Sequence, residues 1–340
     1  MLHNQIKKIK KWLHPEARIL ITSHHNPDGD AIGSLLAMYH SIKKEGYLVT
    51  CVVPNRMPEF LRWMPGANEI LIFNENRDTR LFTEADIIYC LDYNSPSRVV
   101  AMEGALKSSG AKKILIDHHP DPEKDFFDSV YSTVEISSTA ELVYNYIIAW
   151  KGDKEINKDI AACLYVGIMT DTGSFSFNCS YASTFTATAK LLETGINGEA
   201  IHNLVYNNYS ESRLRLLGYC LSEKMTVLEE YSLAYISLTK TELERFGYVP
   251  GDTEGIVNYP LSIKDVKISV LLTERKDRIR LSFRSKGNFP VNRIAREDFE
   301  GGGHMNAAGG DSFVSMDETI LKLLDIMPKY KELILAGDNE

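Results

Sequence analysis

Along its first half the chain repeats one pattern: a short apolar, β-branched run, a polar turn, then a helical stretch. The runs are RILITS (18–23), LVTCVV (48–53), DIIYCL (86–91) and KILI (113–116). Their apolarity is nearly continuous rather than alternating, which marks strands buried on both faces, as in parallel sheets with crossover helices. The spacing predicts a helix in AIGSLLAMYHSIKKEG, which starts after Asp30 and closes at Gly46. A second is expected in SSTAELVYNYIIAW, with Ser138 and Glu141 forming a capping box. KDIAACLYVGIMTDTGSF carries an apolar stripe that stops at Asp171, and ATAKLLETG closes at Gly195. The opening MLHNQIKKIKKWLHPE reads as an amphipathic helix ending near Pro15 and packed on the neighbouring domain.

From about Tyr231 the pattern changes to YSLAYISL, DVKISVLLTE and RIRLSFRS, strands that alternate or pair as hairpins around ERKDR. At 340 residues the chain is long for one core. The expected architecture is α/β, a doubly wound, mainly parallel N-terminal sheet with a smaller C-terminal α+β domain built on a mixed sheet. The divisions are 1–194 for a catalytic, metal-binding domain, 195–230 for a mobile helical linker containing SRLRLLGYCLSEKM, and 231–335 for a substrate-binding domain. The last residues, AGDNE, are expected to fray.

Three of the four strand ends carry acid or histidine. RILITS runs into His24, Asp28 and Asp30; DIIYCL ends at Asp92; KILI ends at Asp117, His118 and His119. Ligands of open α/β sheets bind outside the carboxyl ends of the strands, so these residues should converge in one crevice with Asp171. Asp30 alone would read as a helix N-cap and His24 alone as a structural histidine, but the joint pattern favours a site. In SHHNPDGD, Pro27 and Gly29 are the stiff and the permissive elements of the turn; His25 receives no role.

Four carboxylates and two imidazoles, His24, Asp28, Asp30, Asp92, His118 and Asp171, suit two divalent ions, manganese first, with magnesium, cobalt or zinc as alternatives. Two such ions bridged by a carboxylate and a water are the arrangement used for displacement at phosphorus by hydroxide. His119 is placed to contact a phosphoryl oxygen or the leaving group.

The net charge of −8 argues against a protein that tracks long nucleic acid, while leaving room for a small anionic substrate. Between Lys264 and Arg296, however, ten Lys or Arg face three acids. Within that stretch Arg284, at a strand end, could clamp a phosphate, and the glycines of EGGGHMNAAGG (300–310), ending at His304, could turn tightly around an anion. Five scattered cysteines, without C-x-x-C spacing, suggest neither disulfides nor a cysteine zinc site. With no long apolar segment, the expectation is a cytoplasmic protein without a membrane partner.

These residues together resemble the DHH phosphoesterase superfamily, named for a motif that stands here as Asp117, His118 and His119. The H-x-x-P-D-x-D motif is present as His24, Pro27, Asp28 and Asp30, followed by the Asp92 of CLDYN and the Asp171 of GIMTDTGSF. FEGGGHMNAAGG resembles the signature of the DHH-associated domain, and the likeness runs from about Arg18 to Phe313. Size and signature are most similar to the nanoRNase group, which degrades very short oligonucleotides and dephosphorylates 3′-phosphoadenosine 5′-phosphate.

The resemblance implies His24, Asp28 and Asp92 on one metal, and Asp30, Asp92, His118 and Asp171 on the other. It implies His119 on the scissile phosphate, and Arg284, Gly302, Gly303 and His304 on the substrate's other phosphate or terminal nucleotide, in a cleft between domains. One departure is visible: Glu300 precedes three glycines where many relatives have four. Rival substrates are a cyclic dinucleotide or its linear product, polyphosphate, and pyrophosphate; a rival class is a non-catalytic nucleotide-binding regulator. Oligomeric state is left open, a homodimer being one option.

Overall fold

The computed structural model describes residues 2–336, and the side chains of residues 2–333. Apart from Ala336, the ending expected to fray lies outside them. The chain divides into two compact units, one up to Asn208 and one from Tyr209 onward.

The first unit is built on six parallel strands: β1 (Arg18–Thr22), β2 (Leu48–Val53), β3 (Ile70–Ile72), β4 (Ile87–Leu91), β5 (Lys112–Asp117) and β6 (Ser129–Ser132). Their order is β3-β2-β1-β4-β5-β6, with every neighbouring pair parallel. The chain therefore winds outward from β1 to one edge, returns to the middle, and winds outward to the other.

Both faces of the central strands are buried, which explains their continuous apolar sequences. Ile19, Ile21, Tyr89, Leu91, Ile114 and Ile116 enter one core, and Leu20, Ile88, Cys90 and Leu115 enter the other. The α-helices among the described residues of this unit are α1 (Leu2–Lys10), α2 (Gly29–Lys43), α3 (Glu75–Glu84), α4 (Glu103–Ser108), α5 (Thr139–Lys151), α6 (Lys158–Asp171), α7 (Ala182–Glu193) and α8 (Gly198–Tyr206). α1 lays Ile6 and Ile9 on the first core, as its amphipathic pattern suggests. α2, α5 and α6 supply much of that core, with Ala187 and Leu191 of α7 and Ile201 and Val205 of α8 added, and α2 and α6 approach closely because Gly33 faces the Cys163 carbonyl and Gly167.

The four strands legible in the sequence are present. β3 and β6 are additional, and both are short edge strands: β3 is only the three residues Ile-Leu-Ile, and β6, Ser-Val-Tyr-Ser, lacks a continuous apolar run. α2 begins one residue before Asp30 and is capped by Asp28 rather than Asp30.

The second unit carries a mixed sheet of β7 (Met225–Leu228), β8 (Leu233–Leu238), β9 (Ile268–Glu274), β10 (Ile279–Ser285), β11 (Gly302–His304) and β12 (Ala307–Ser312), in the order β11-β12-β10-β9-β8-β7. Among the described residues of this unit only β8 and β9 pair in parallel. Its helices are α9 (Glu211–Tyr219), α10 (Lys240–Arg245), α11 (Val291–Asp298) and α12 (Met316–Ala336). Ile268, Val270, Leu272 and Phe283 pack with α11 and α12, while Ile236, Leu238 and Leu271 pack with α9 and α10. The glycine-rich stretch expected to turn tightly forms the hairpin β11–β12, with Gly302 and Gly303 in a strand. Among the described residues no helix is long and apolar enough to cross a membrane.

Candidate metal centre

The order of the first sheet reverses between β1 and β4, so a crevice opens there at the carboxyl ends of the strands. His24 follows β1, Asp92 follows β4, and Asp117 ends β5 with His118 and His119 after it, which brings the three strand-end motifs to neighbouring positions.

The turn after β1 carries its left-handed residue at Asn26 (φ 57°), not at Gly29. Asn tolerates that conformation, so the turn needs no glycine. Gly29 is required for another reason: a Cβ there would lie 2.3 Å from Thr170 Oγ1 of α6. Asp28 accepts hydrogen bonds from the backbone N–H groups of Asp30 and Ala31, both at 3.0 Å. Asp30 is thereby free of capping duty and points instead to α5, accepting from Thr139 N at 2.7 Å and Ala140 N at 2.8 Å.

Asp92 stands at φ 64°, a conformation that costs about 1–3 kcal/mol for a residue other than glycine and is kept where surrounding structure demands it. Its two oxygens serve different neighbours. Oδ2 lies 3.4 Å from His24 Nε2, whereas Oδ1 accepts the Thr139 hydroxyl at 2.9 Å and lies 3.6 Å from His118 Nε2. The same His118 nitrogen is 3.8 Å from Asp30 Oδ2 and 3.6 Å from Asp171 Oδ2. Asp171 closes α6, where the negative end of the helix dipole makes an acid costly unless a cation is near.

Two groups result: His24, Asp28 and Asp92; and Asp30, Asp92 and His118; in each, one ligand atom per residue lies within 4.8 Å of the others. Asp171 joins the second through His118. A third group of Asp92, Asp117 and His119 also meets that distance. There, however, the His119 Nδ1 to Asp117 Oδ1 distance of 2.7 Å and the His119 N donation to Asp117 Oδ2 at 3.1 Å describe a hydrogen-bonded pair that fixes the imidazole.

Electrostatics match this crowding. Burial and the charges of Asp92, Asp171 and Asp28 push the Asp30 carboxyl well above the ordinary carboxylate range. Burial opposes ionisation of Asp92 too, but the His24 hydrogen bond and the imidazoles of His24, His119 and His118 outweigh it and hold Asp92 well below that range. For His24, burial disfavours the cation, yet the hydrogen bond to Asp92 and the charge of Asp28 leave its pKa raised. Burial and the neighbouring His119 bring His118 down to about 4, so it is neutral at pH 7 and ready to be a ligand.

In the second unit, Arg284 of β10 and His304 of β11 both pair with Ala307 of β12. Residues opposite one another in a ladder share a face, so the Arg284 and His304 side chains leave the sheet on the same side as the Ala307 methyl. The glycines allow the hairpin to close: a Cβ on Gly301 would lie 2.0 Å from the Gly309 carbonyl, and one on Gly303, at φ 141°, would lie 2.5 Å from the Ala307 carbonyl. Glu300 itself adopts φ 44°, the left-handed region that a glycine enters without strain.

Sequence reasoning passed over Asp117 as the partner of His119, and Thr139, whose backbone and hydroxyl serve two carboxylates. Thr139 had one available signal, its place at the first turn of a predicted helix. The capping box expected there is half formed: Ser138 Oγ accepts from Glu141 N at 3.1 Å, but the Glu141 carboxylate goes to Ser137 and Thr184.

Comparison with known proteins agrees with this geometry. The chain matches the N-terminal domain of the DHH family over residues 18–168 and the DHHA1 domain over residues 231–325. It is 31% identical to an uncharacterized Mycoplasma genitalium protein over 100% of this chain and 97% of that one. It is 28% identical to the Bacillus subtilis bifunctional oligoribonuclease and PAP phosphatase NrnA, covering 92% of this chain and 95% of that protein. The crystal structure of an exopolyphosphatase-related protein from Bacteroides fragilis superposes with a TM-score of 0.92 at 45% identity, covering 97% of each chain. The chain is thus a member of the DHH family of phosphoesterases, with a DHH domain in its first unit and a DHHA1 domain in its second.

Proposed function

We propose that this enzyme is a two-metal, manganese-dependent phosphoesterase that hydrolyses short phosphorylated nucleotides, namely nano-oligoribonucleotides and 3′-phosphoadenosine 5′-phosphate. The observation that carries the reading is the division of Asp92, with Oδ2 toward His24 and Oδ1 toward His118. A carboxylate placed between two ligand groups is what a pair of cations requires, and the raised Asp30 carboxyl marks a place where negative charge lacks compensation.

In this reading His24, Asp28 and Asp92 hold one ion, and Asp30, Asp92, His118 and Asp171 hold the other. Such ions, when bound, polarise phosphoryl oxygens and make water acidic enough to attack phosphorus near neutral pH. Neutral His118 offers a lone pair without first losing a proton. His119, held through Nδ1 by Asp117, would act through Nε2 on a phosphoryl oxygen or on the departing oxygen. Arg284, Gly302, Gly303 and His304 would hold a second phosphate of the substrate, the guanidinium through paired hydrogen bonds. The acidic chain favours small substrates over long RNA, and a cytoplasmic location fits such substrates.

A second reading, inorganic polyphosphate as substrate, draws support from the B. fragilis neighbour, which is described as exopolyphosphatase-related. Turnover of 3′-phosphoadenosine 5′-phosphate, pApA, a two- to five-nucleotide RNA and polyphosphate, measured with Mn²⁺, separates the two. Fastest turnover of the short RNA and of 3′-phosphoadenosine 5′-phosphate is expected. Preference for polyphosphate supports the second reading, and no turnover of any of them supports a nucleotide-binding regulator.

A further inference from the structure

We propose that Glu141 is a positioning residue for the metal centre, locking the N-terminus of α5 against the carboxylates of Asp30 and Asp92; this rests on the two-metal reading. Three donors from two consecutive residues hold those carboxylates: Thr139 N and Ala140 N on Asp30, at 2.7 and 2.8 Å, and Thr139 Oγ1 on Asp92, at 2.9 Å. Whatever sets the first turn of α5 therefore sets the direction of both acids.

Glu141 is fully buried in that same first turn. Its Oε2 accepts from Ser137 Oγ at 2.7 Å, Ser137 N at 3.3 Å and Thr184 Oγ1 of α7 at 2.7 Å. One carboxylate oxygen thus ties the residue before the cap to α7, while the Glu141 N–H donates to Ser138 Oγ. Asn178, in the segment after Asp171, donates to the Ser137 carbonyl at 2.8 Å, bringing the chain beyond a third acid of the site to the same residue.

The other oxygen, Oε1, is buried with no hydrogen-bond partner among the described residues. A half-satisfied buried carboxylate is an expensive way to fill space between two helices, where an apolar side chain would pack more favourably. The chemistry at this position is explained by orientation: a group that accepts three hydrogen bonds fixes residues 137–139 more tightly than dispersion contacts can.

The test is Mn²⁺ binding to metal-stripped protein by calorimetry, beside the melting temperature of the metal-free state and the separate kcat and KM. Glu141→Ala is expected to weaken Mn²⁺ binding by about 10–100-fold and to lower kcat while KM changes little. Glu141→Gln keeps an acceptor oxygen and is expected to recover most of that affinity. A folded Glu141→Ala variant that binds Mn²⁺ as the wild type does overturns the proposal. If that variant does not fold, Thr184→Val carries the test, with several-fold weaker binding expected and unchanged binding overturning the proposal. Wild-type protein that takes up no Mn²⁺ refutes the two-metal reading itself, a result distinct from variants that match a metal-binding wild type.

Discussion

Asp117 and His119 are joined twice, by the imidazole Nδ1 at 2.7 Å and by the backbone N–H at 3.1 Å, so the side chain two residues earlier fixes both the ring and its peptide. Asp117 is fully buried and its oxygens are turned to His119. A partner of this kind sets which ring nitrogen carries the proton, and such groups usually matter about 10–100-fold.

Asp117→Asn is therefore expected to lower kcat by about 10–100-fold while leaving Mn²⁺ affinity within a few fold, because the amide cannot accept at both positions as the carboxylate does. Steady-state kinetics with a short RNA, read beside calorimetric Mn²⁺ titration, checks this. Equal losses of metal affinity and kcat would instead make Asp117 a ligand.

Gly167 is expected to tolerate no side chain. A Cβ there would lie 2.4 Å from the Ala140 Cβ and 3.0 Å from Asp30 Oδ1, where α6 packs on α5 and α2. Overpacking of this kind costs about 1–3 kcal/mol, so Gly167→Ala should lower the denaturant midpoint and also weaken Mn²⁺ binding by displacing Asp30. Stability lost with metal affinity retained would mean that Asp30 does not feel the added methyl.

Much of the fold was legible because β1, β4, β5 and the second half of β2 are largely buried on both faces and so carry apolar runs. β3 escaped because three apolar residues, Ile-Leu-Ile, are too short a run to mark a strand, and β6 because an edge strand such as Ser-Val-Tyr-Ser needs no apolar run. The candidate ligands could be found because they follow strands that are themselves recognisable. Their division of labour could not: in PDGD either aspartate can cap a helix, and only the approach of α5 shows that Asp28 caps while Asp30 turns to Thr139. The hairpin at Gly302 to Ser312 stayed hidden because glycine and alanine carry no alternation to read.

The acid response of the metal-free centre has a defined sign. Asp30 has a folded pKa above its unfolded value, so its contribution to stability is largest at low pH and declines as pH rises from the ordinary carboxylate range through the raised value. His24, also raised, loses its stabilising contribution above its unfolded value near 6.5. Asp92 and His118 have lowered values and act oppositely, stabilising more as pH rises, in the His118 case between about 4 and 6.5. Ion binding in the proposed centre would require His24 and Asp30 deprotonated, so the rise in melting temperature caused by Mn²⁺ should grow between pH 5 and 8, as differential scanning fluorimetry can record. A rise that is independent of pH would exclude both residues as ligands.

Arg284 and His304 sit on either side of Ala307, on one face of the second sheet. Arg284→Ala is expected to raise KM for a short RNA by about tenfold or more while kcat changes only a few fold, since a bidentate contact to a non-reacting phosphate contributes binding rather than chemistry. A fall in kcat at constant KM would place the guanidinium at the reacting phosphate.

The most direct measurement is the number of Mn²⁺ ions bound per chain by metal-stripped protein, wild type against Asp28→Asn and Asp92→Asn. Two ions are expected for the wild type, one for Asp28→Asn, which loses a ligand to a single ion, and neither bound tightly for Asp92→Asn, whose carboxylate serves both. One ion per wild-type chain, or two retained by Asp92→Asn, would contradict the shared centre.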